Sequence, residues 1–217
     1  MSRWQPERKE VTRQRILEAA AHLFRERGYA NTSVSDVMHR LGLTVGGFYS
    51  HFESKEALLS EVIADGMDRM RSLLLLGMEQ AEGSDFIREV AKRYLSRFHR
   101  DHPEQGCILP ALAAEVGRHG SAPRSAIELY LREITSFFAK KFASGRTAPP
   151  KARGDGDDET ASKGDVFAAD ELALALTALS VGGVLLARAV EDRSLSDSIL
   201  RICRRFANHY ARRAERT

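Results

Sequence analysis

At 217 residues and 24.2 kDa the chain can form one large or two small domains, with enough length for a full core. Its 43% apolar and 29% charged residues are ordinary for a globular chain, no apolar run reaches about 18 residues, and no signal-peptide pattern opens it; a cytoplasmic protein without a membrane partner is expected. Two cysteines, Cys107 and Cys203, exclude a disulfide framework, and the net charge of +3 lies wholly in residues 1–55, where nine Lys/Arg face six Asp/Glu.

Residues 1–8 show no apolar periodicity and are expected as a loose arm, with Arg3, Arg8 and Lys9 able to follow a phosphate backbone. Over residues 10–27, Ile16, Ala19, Ala20, Leu23 and Phe24 recur with helical period, Gly28 ends the helix, and Tyr29 is placed to fold back on the core. Ser33-Val34-Ser35-Asp36 is a capping box that opens a helix to Leu41, burying Val34, Val37, Met38 and Leu41. The Ser33 and Ser35 hydroxyls and the nearby amides are candidates to hold a phosphate oxygen, although capping alone accounts for Ser33.

Gly42 then supplies a left-handed stop, Leu43 plugs the angle between helices, and Thr44 is placed as the next N-cap. Phe48 and Phe52, four residues apart, face inward and leave Val45, Tyr49, Ser50 and His51 near the outer face. The pattern is that of a helix-turn-helix whose second helix enters a major groove. Gly46 and Gly47 each cost a helix about 1 kcal/mol relative to Ala. They also remove side chains where the backbone could approach base edges. Val45 against a thymine methyl, Ser50, and Arg40 or His51 at the margins are left to read bases, so specificity leans on DNA shape.

Ser54 caps a long helix that begins at Lys55 and runs through Val62, Ile63, Met67, Met70, Leu73 and Leu74 to about Leu76. Lys55 sits in its first turn, where the macrodipole disfavours a cation unless a phosphate lies beside it. Residues 85–100 read as one amphipathic helix (Phe86, Val90, Ala91, Tyr94, Leu95, Phe98), broken at His102-Pro103. Residues 106–117 form a shorter apolar segment with Glu115 as its interior charge, and 121–143 carry the strongest stripe. Residues 145–165 have a linker's composition. Residues 166–190 are apolar nearly all round, as in a helix buried on more than one side, and 195–211 are amphipathic.

Leu179, Leu185, Leu186, Ile199, Phe206 and Tyr210 on these last helices are the expected subunit interface of a homodimer. Met67, Met70, Tyr94, Phe98, Leu112, Tyr130, Ile134 and Phe137 are candidates to line a small-molecule pocket, with Glu115 orienting a cationic or hydrogen-bonding ligand. Plain core is the alternative for each. His99, His102 and Cys107 match no strong metal pattern, and no cofactor is expected. No phosphate loop, nucleophile elbow or paired catalytic carboxylates appear, so an enzyme is not expected.

The segment from Gly28-Tyr29 through Thr32-Ser33-Val34, Asp36-Val37, Leu41 to Phe52, and Ser54-Lys55-Glu56-Ala57-Leu58-Leu59 resembles the DNA-binding domain of TetR/AcrR-type transcriptional regulators. The resemblance covers about a quarter of the chain. It implies an all-α fold, with an N-terminal three-helix helix-turn-helix domain (1–53) and a larger helical ligand-binding and dimerisation domain (54–217, with 145–165 as a linker). It further implies phosphate contacts at Tyr49 and Lys55, and a groove-facing segment of Thr44, Val45, Gly46, Gly47, Ser50 and His51. The partners implied are an approximately palindromic double-stranded operator and a small-molecule effector that releases a homodimeric repressor. The rivals are a regulator switched by oxidation of Cys107 or Cys203, and an all-helical enzyme that retains a degenerate helix-turn-helix.

Overall fold

The computed structural model describes residues 4–144 and 168–215, without the side chains of 4–6, 67 and 213–215. The described chain is all-α: ten α-helices and one 3-10 turn, with no strand among the described residues. The helices are α1 (Trp4–Arg27), α2 (Val34–Arg40), α3 (Val45–Phe48), α4 (Lys55–Leu75), α5 (Gly83–Tyr94), α6 (Arg97–Asp101), α7 (Leu109–Val116), α8 (Ser121–Ala143), α9 (Ala169–Ala189) and α10 (Arg193–Glu215). The 3-10 turn Pro103–Gln105 separates α6 from α7.

Two expectations about helix limits are corrected. The N-terminal arm is helical from Trp4, because Pro6 suits a first turn and Glu7 complements the dipole there. The helix expected over 85–100 breaks at Leu95 (φ −85°, ψ 47°), whose side chain is fully buried. The break turns Phe98, the last member of the stripe, 61% exposed, while His99 and Arg100 go inside. The linker expected at 145–165 lies outside the described residues, as does the Met67 side chain.

The described chain falls into two compact units, Met1–Leu73 with Arg97–Arg132, and Leu74–Ser96 with Glu133–Thr217. In the first, Ile16, Ala20 and Phe24 of α1 are fully enclosed together with Phe48, Leu58, Leu59, Val62, Ile63 and Leu112. Burial of each large side chain contributes about 1.5–3 kcal/mol. Arg13 pairs with Glu61 and lies over the Phe52 ring at 4.8 Å, and Glu18 pairs with Arg69 at 3.1 Å, so α1 is tied along α4.

In the second unit, Phe86 of α5 is fully buried among Phe137, Phe138 and Phe142 of α8, with ring centroids 5.7–6.3 Å apart. Arg93 Nη1 donates to the carbonyls of Leu74 and Leu76 at 2.8 Å each, satisfying the open end of α4. Helix α10 packs on α5 and α9. A Cβ at Gly183 would lie 3.0 Å from both Cys203 Sγ and Leu95 Cδ2, so the glycine permits the α9–α10 approach. Helix α9 is long and apolar enough to cross a bilayer by composition alone. It buries Leu172, Leu176 and Val184 and leaves Leu174, Leu185 and Leu186 exposed, so it is not enclosed all round as its composition suggests.

Candidate nucleic-acid interface

The segment from Gly28 to Ser54 is built by local chemistry. Gly28 takes φ +85° and ends α1, after which Thr32 Oγ1 donates to the Gly28 carbonyl at 2.8 Å. Ser33 caps α2 in a full capping box. Its Oγ accepts the Asp36 amide at 3.0 Å and donates to Asp36 Oδ2 at 2.6 Å, and its own amide donates to the same oxygen at 2.6 Å. These bonds hold the Asp36 carboxyl below the usual aspartate value, the Ser33 hydroxyl having the largest effect. The capping role accounts for Ser33 in full, since its hydroxyl hydrogen is already given to Asp36. Ser35 lies 3.4 Å from His39 Nδ1 and is only half-buried.

Gly42 adopts φ +68°, which makes the sharp turn between α2 and α3. Thr44 is the N-cap residue of α3 by backbone geometry, although its side chain makes no capping bond. Helix α3 is one turn long, and Phe48 anchors it, fully buried and stacked on Phe52 at 5.6 Å. With both rings inside, the opposite face is presented outward: Val45 is 37% and Tyr49 64% exposed, with Thr44, Gly46 and Ser50 also exposed and Gly47 half-buried. Ser50 Oγ returns to the Gly47 carbonyl at 2.7 Å. Among the described residues, apart from its chain neighbours and its own helix backbone, nothing lies within 4 Å of where a Cβ at Gly46 would stand. Packing therefore does not demand a glycine at that position.

His51 is half-buried, its Nδ1 without a hydrogen-bond partner. Burial lowers its pKa, and Lys9 and Arg13 lower it further against the pull of Glu10. Ser54 Oγ accepts the Ala57 amide at 3.0 Å, capping α4 as the sequence indicates. Lys55 does not hang free in that first turn. Its Nζ donates to the Tyr29 carbonyl at 2.6 Å and lies 3.9 Å from the Tyr29 ring centroid. Burial lowers the Lys55 pKa, opposed by Glu115 and Asp36.

The ligand candidates fare unevenly. The Glu115 carboxylate accepts the amides of Tyr29 at 3.2 Å and Ala30 at 2.7 Å, so it serves the turn after α1. Phe98 is 61% exposed. Met70, Leu112 and Tyr130 are buried in the first unit, and Tyr94 and Ile134 in the second, where Phe137 is half-buried. Of the interface candidates, Leu185, Leu186 and Phe206 are exposed, and Leu179, Ile199 and Tyr210 are half-buried. Ile202, Arg205, Phe206, Asn208, His209 and Arg212 of α10 line an open groove of about 500 Å³.

Cys107 is buried, with Sγ 3.4 Å from Tyr130 Oη. Burial lowers the Arg25 pKa and raises that of Tyr130. His99 Nε2 accepts the Cys107 amide at 2.9 Å, an ordinary structural role for a buried histidine. Burial raises the Cys203 thiol.

A capped helix, a glycine turn and a short helix anchored by aromatics, with a small-residue face outward, define a helix-turn-helix DNA-binding protein. The family described as "Bacterial regulatory proteins, tetR family" matches at residues 16–62. The HTH-type transcriptional regulator YdgC of Bacillus subtilis (strain 168) is 42% identical over 62 residues, 29% of this chain and 32% of that protein. This chain thus spans about a third of YdgC in that match. The HTH-type transcriptional repressor DhaR of Mycobacterium sp. (strain GP1) is 25% identical over 190 residues, 88% of this chain and 89% of that one. A TetR transcriptional regulator from Chloroflexus aurantiacus J-10-FL is similar in structure, with TM-score 0.71 and 28% identity over 94% of this chain and 96% of that one. Residues 16–62 thus match the tetR family, and over most of its length the chain is similar to transcriptional regulators of that family.

Proposed function

We propose that the protein is a homodimeric repressor, acting in the bacterial cytoplasm, that binds an approximately palindromic operator and is released from it by a small-molecule effector. The observation that carries the proposal is the outward face of α3. A one-turn helix anchored by Phe48, with the residues that follow it, leaves Val45, Gly46, Tyr49 and Ser50 exposed on one outward face. Thr44, Val45, Gly46, Gly47, Ser50 and His51 form the groove-facing segment. Ser35, Tyr49 and the remaining donors of Lys55 take phosphates. Two such segments in a symmetric dimer meet successive major grooves about 34–36 Å apart. The exposed Leu185, Leu186, Ile202 and Phe206 support pairing through α9 and α10. An effector that favours another spacing of the reading helices lowers operator affinity by a population shift. Residues 1–53 serve as the reading domain and 54–217 as the regulatory one. DhaR, by name a repressor, supports the sign of regulation.

The test is operator release measured with a panel of hydrophobic amines, phenols and dyes, and separately with peroxide. Release by a panel member, retained in a Cys107→Ser/Cys203→Ser variant, is the expected result. The second reading, a thiol switch, draws on Cys107, whose Sγ lies 3.4 Å from Tyr130 Oη. Release by peroxide alone, lost in the double variant, would replace the effector with oxidation. Ile134→Trp, which adds bulk at a buried position of the regulatory part, should keep DNA binding and abolish release by the effector.

A further inference from the structure

The reading segment is held at both of its chain ends by the same short turn of the body. At its entrance, Glu115 of α7 accepts the Tyr29 and Ala30 amides, one on each carboxylate oxygen. At its exit, Glu56 in the first turn of α4 accepts the Gly120 amide at 2.9 Å, from the turn between α7 and α8. Each carboxylate seats against a glycine: a Cβ at Gly28 would lie 2.6 Å from Glu115 Oε1, and one at Gly120 would lie 2.6 Å from Glu56 Oε1. Between the two anchors, His119 meets the Tyr29 ring edge-on at 4.7 Å, and Lys55 bridges from the exit back to the Tyr29 carbonyl. All of these groups belong to the first compact unit.

We propose that Glu115 and Glu56 are positioning residues for DNA recognition, a two-point bracket through which the α7–α8 turn sets the orientation of α2 and α3. The inference rests on the reading that α3 contacts DNA. Charge-assisted bonds from main-chain amides are short and directional, and they leave the groove-facing side chains untouched. A shift of the α7–α8 turn is therefore passed to the entrance and exit of the reader together, as a rigid reorientation.

The bracket makes an asymmetric prediction. Glu115 uses both oxygens, so Glu115→Gln turns an amide NH2 toward one of its two donors and loses that bond. Glu56 uses one oxygen, which a glutamine can supply, so Glu56→Gln retains the anchor and Glu56→Ala loses it. The probe is a duplex enriched from a random library by the wild-type protein, measured against a scrambled duplex at several salt concentrations. For Glu115→Gln and Glu56→Ala, affinity for the enriched duplex should fall about tenfold. Affinity for the scrambled duplex and the salt slope should stay as in the wild type, and the thermal transition should fall only by the few degrees that one lost bond implies. Amide exchange at Tyr29 and Ala30 should quicken in Glu115→Gln, and at Gly120 in Glu56→Ala. Glu56→Gln should behave as wild type. Unchanged discrimination in both losing variants would overturn the bracket, as would an equal loss on both duplexes. Failure of the wild type to enrich any duplex would overturn the DNA reading, and the inference with it.

Discussion

Gly46 separates two demands that usually coincide at a glycine. Among the described residues, apart from its chain neighbours and its own helix backbone, nothing would meet a Cβ there, and its backbone does not take a positive φ, so the fold itself does not need the glycine. Gly46→Ala should therefore stabilise the free protein by up to about 1 kcal/mol, read from thermal melting. The same methyl should weaken operator binding if the backbone approaches base edges, read from a titration of the same variant. A stabilised protein with undiminished affinity would remove close approach from the mechanism. Asp36 offers a second residue-scale check. Its folded pKa lies below the ordinary value, so the support it gives α2 is fully present above pH 3.8 and is lost as pH falls through the lower folded value. A carboxyl titration followed by NMR should show the Ser33 amide moving with Asp36, and Asp36→Asn should flatten that titration.

At the scale of elements, what was legible in the sequence was what neighbours in sequence decide. The capping box at Ser33 and Asp36, the Gly42 stop, the Ser54 cap and the Phe48–Phe52 pair all act over three or four residues, and each stands as its spacing indicates. The break at Leu95 had no such mark. No glycine or proline lies there, and the apolar stripe runs through it unbroken to Phe98. The bonds of Glu115 were not legible for a related reason. Its partners are main-chain amides as many as 86 positions away, and an amide carries no signature of its own in a sequence. The anchoring of α3 predicts a large and local loss. Phe48→Ala should cost about 3–5 kcal/mol in denaturant unfolding, because the ring is fully enclosed and stacked on Phe52.

For the whole molecule, the exposed apolar side chains of α9 and α10 are the surface on which the proposed dimer rests. Leu186 is 57% and Phe206 51% exposed in the single chain, so a charge at either costs little in folding. Phe206→Glu and Leu186→Glu should thus yield folded monomers whose affinity for a two-half-site duplex falls sharply. Sedimentation at micromolar concentration, alongside circular dichroism, checks both parts. A wild type that sediments as a monomer would sink the dimer.

The partition of the chain also bears on how such regulators can be recombined. Each compact unit is assembled from separate stretches of sequence, and the boundaries at 73/74 and 132/133 fall inside α4 and α8. A cut after residue 53, natural if the reader were a detachable head, would strip Tyr29 of Lys55, Glu115 and His119 at once. Chimeras that graft this reader onto another body therefore need to carry residues 97–132 as passengers, and a transplanted target preference should survive only in those that do.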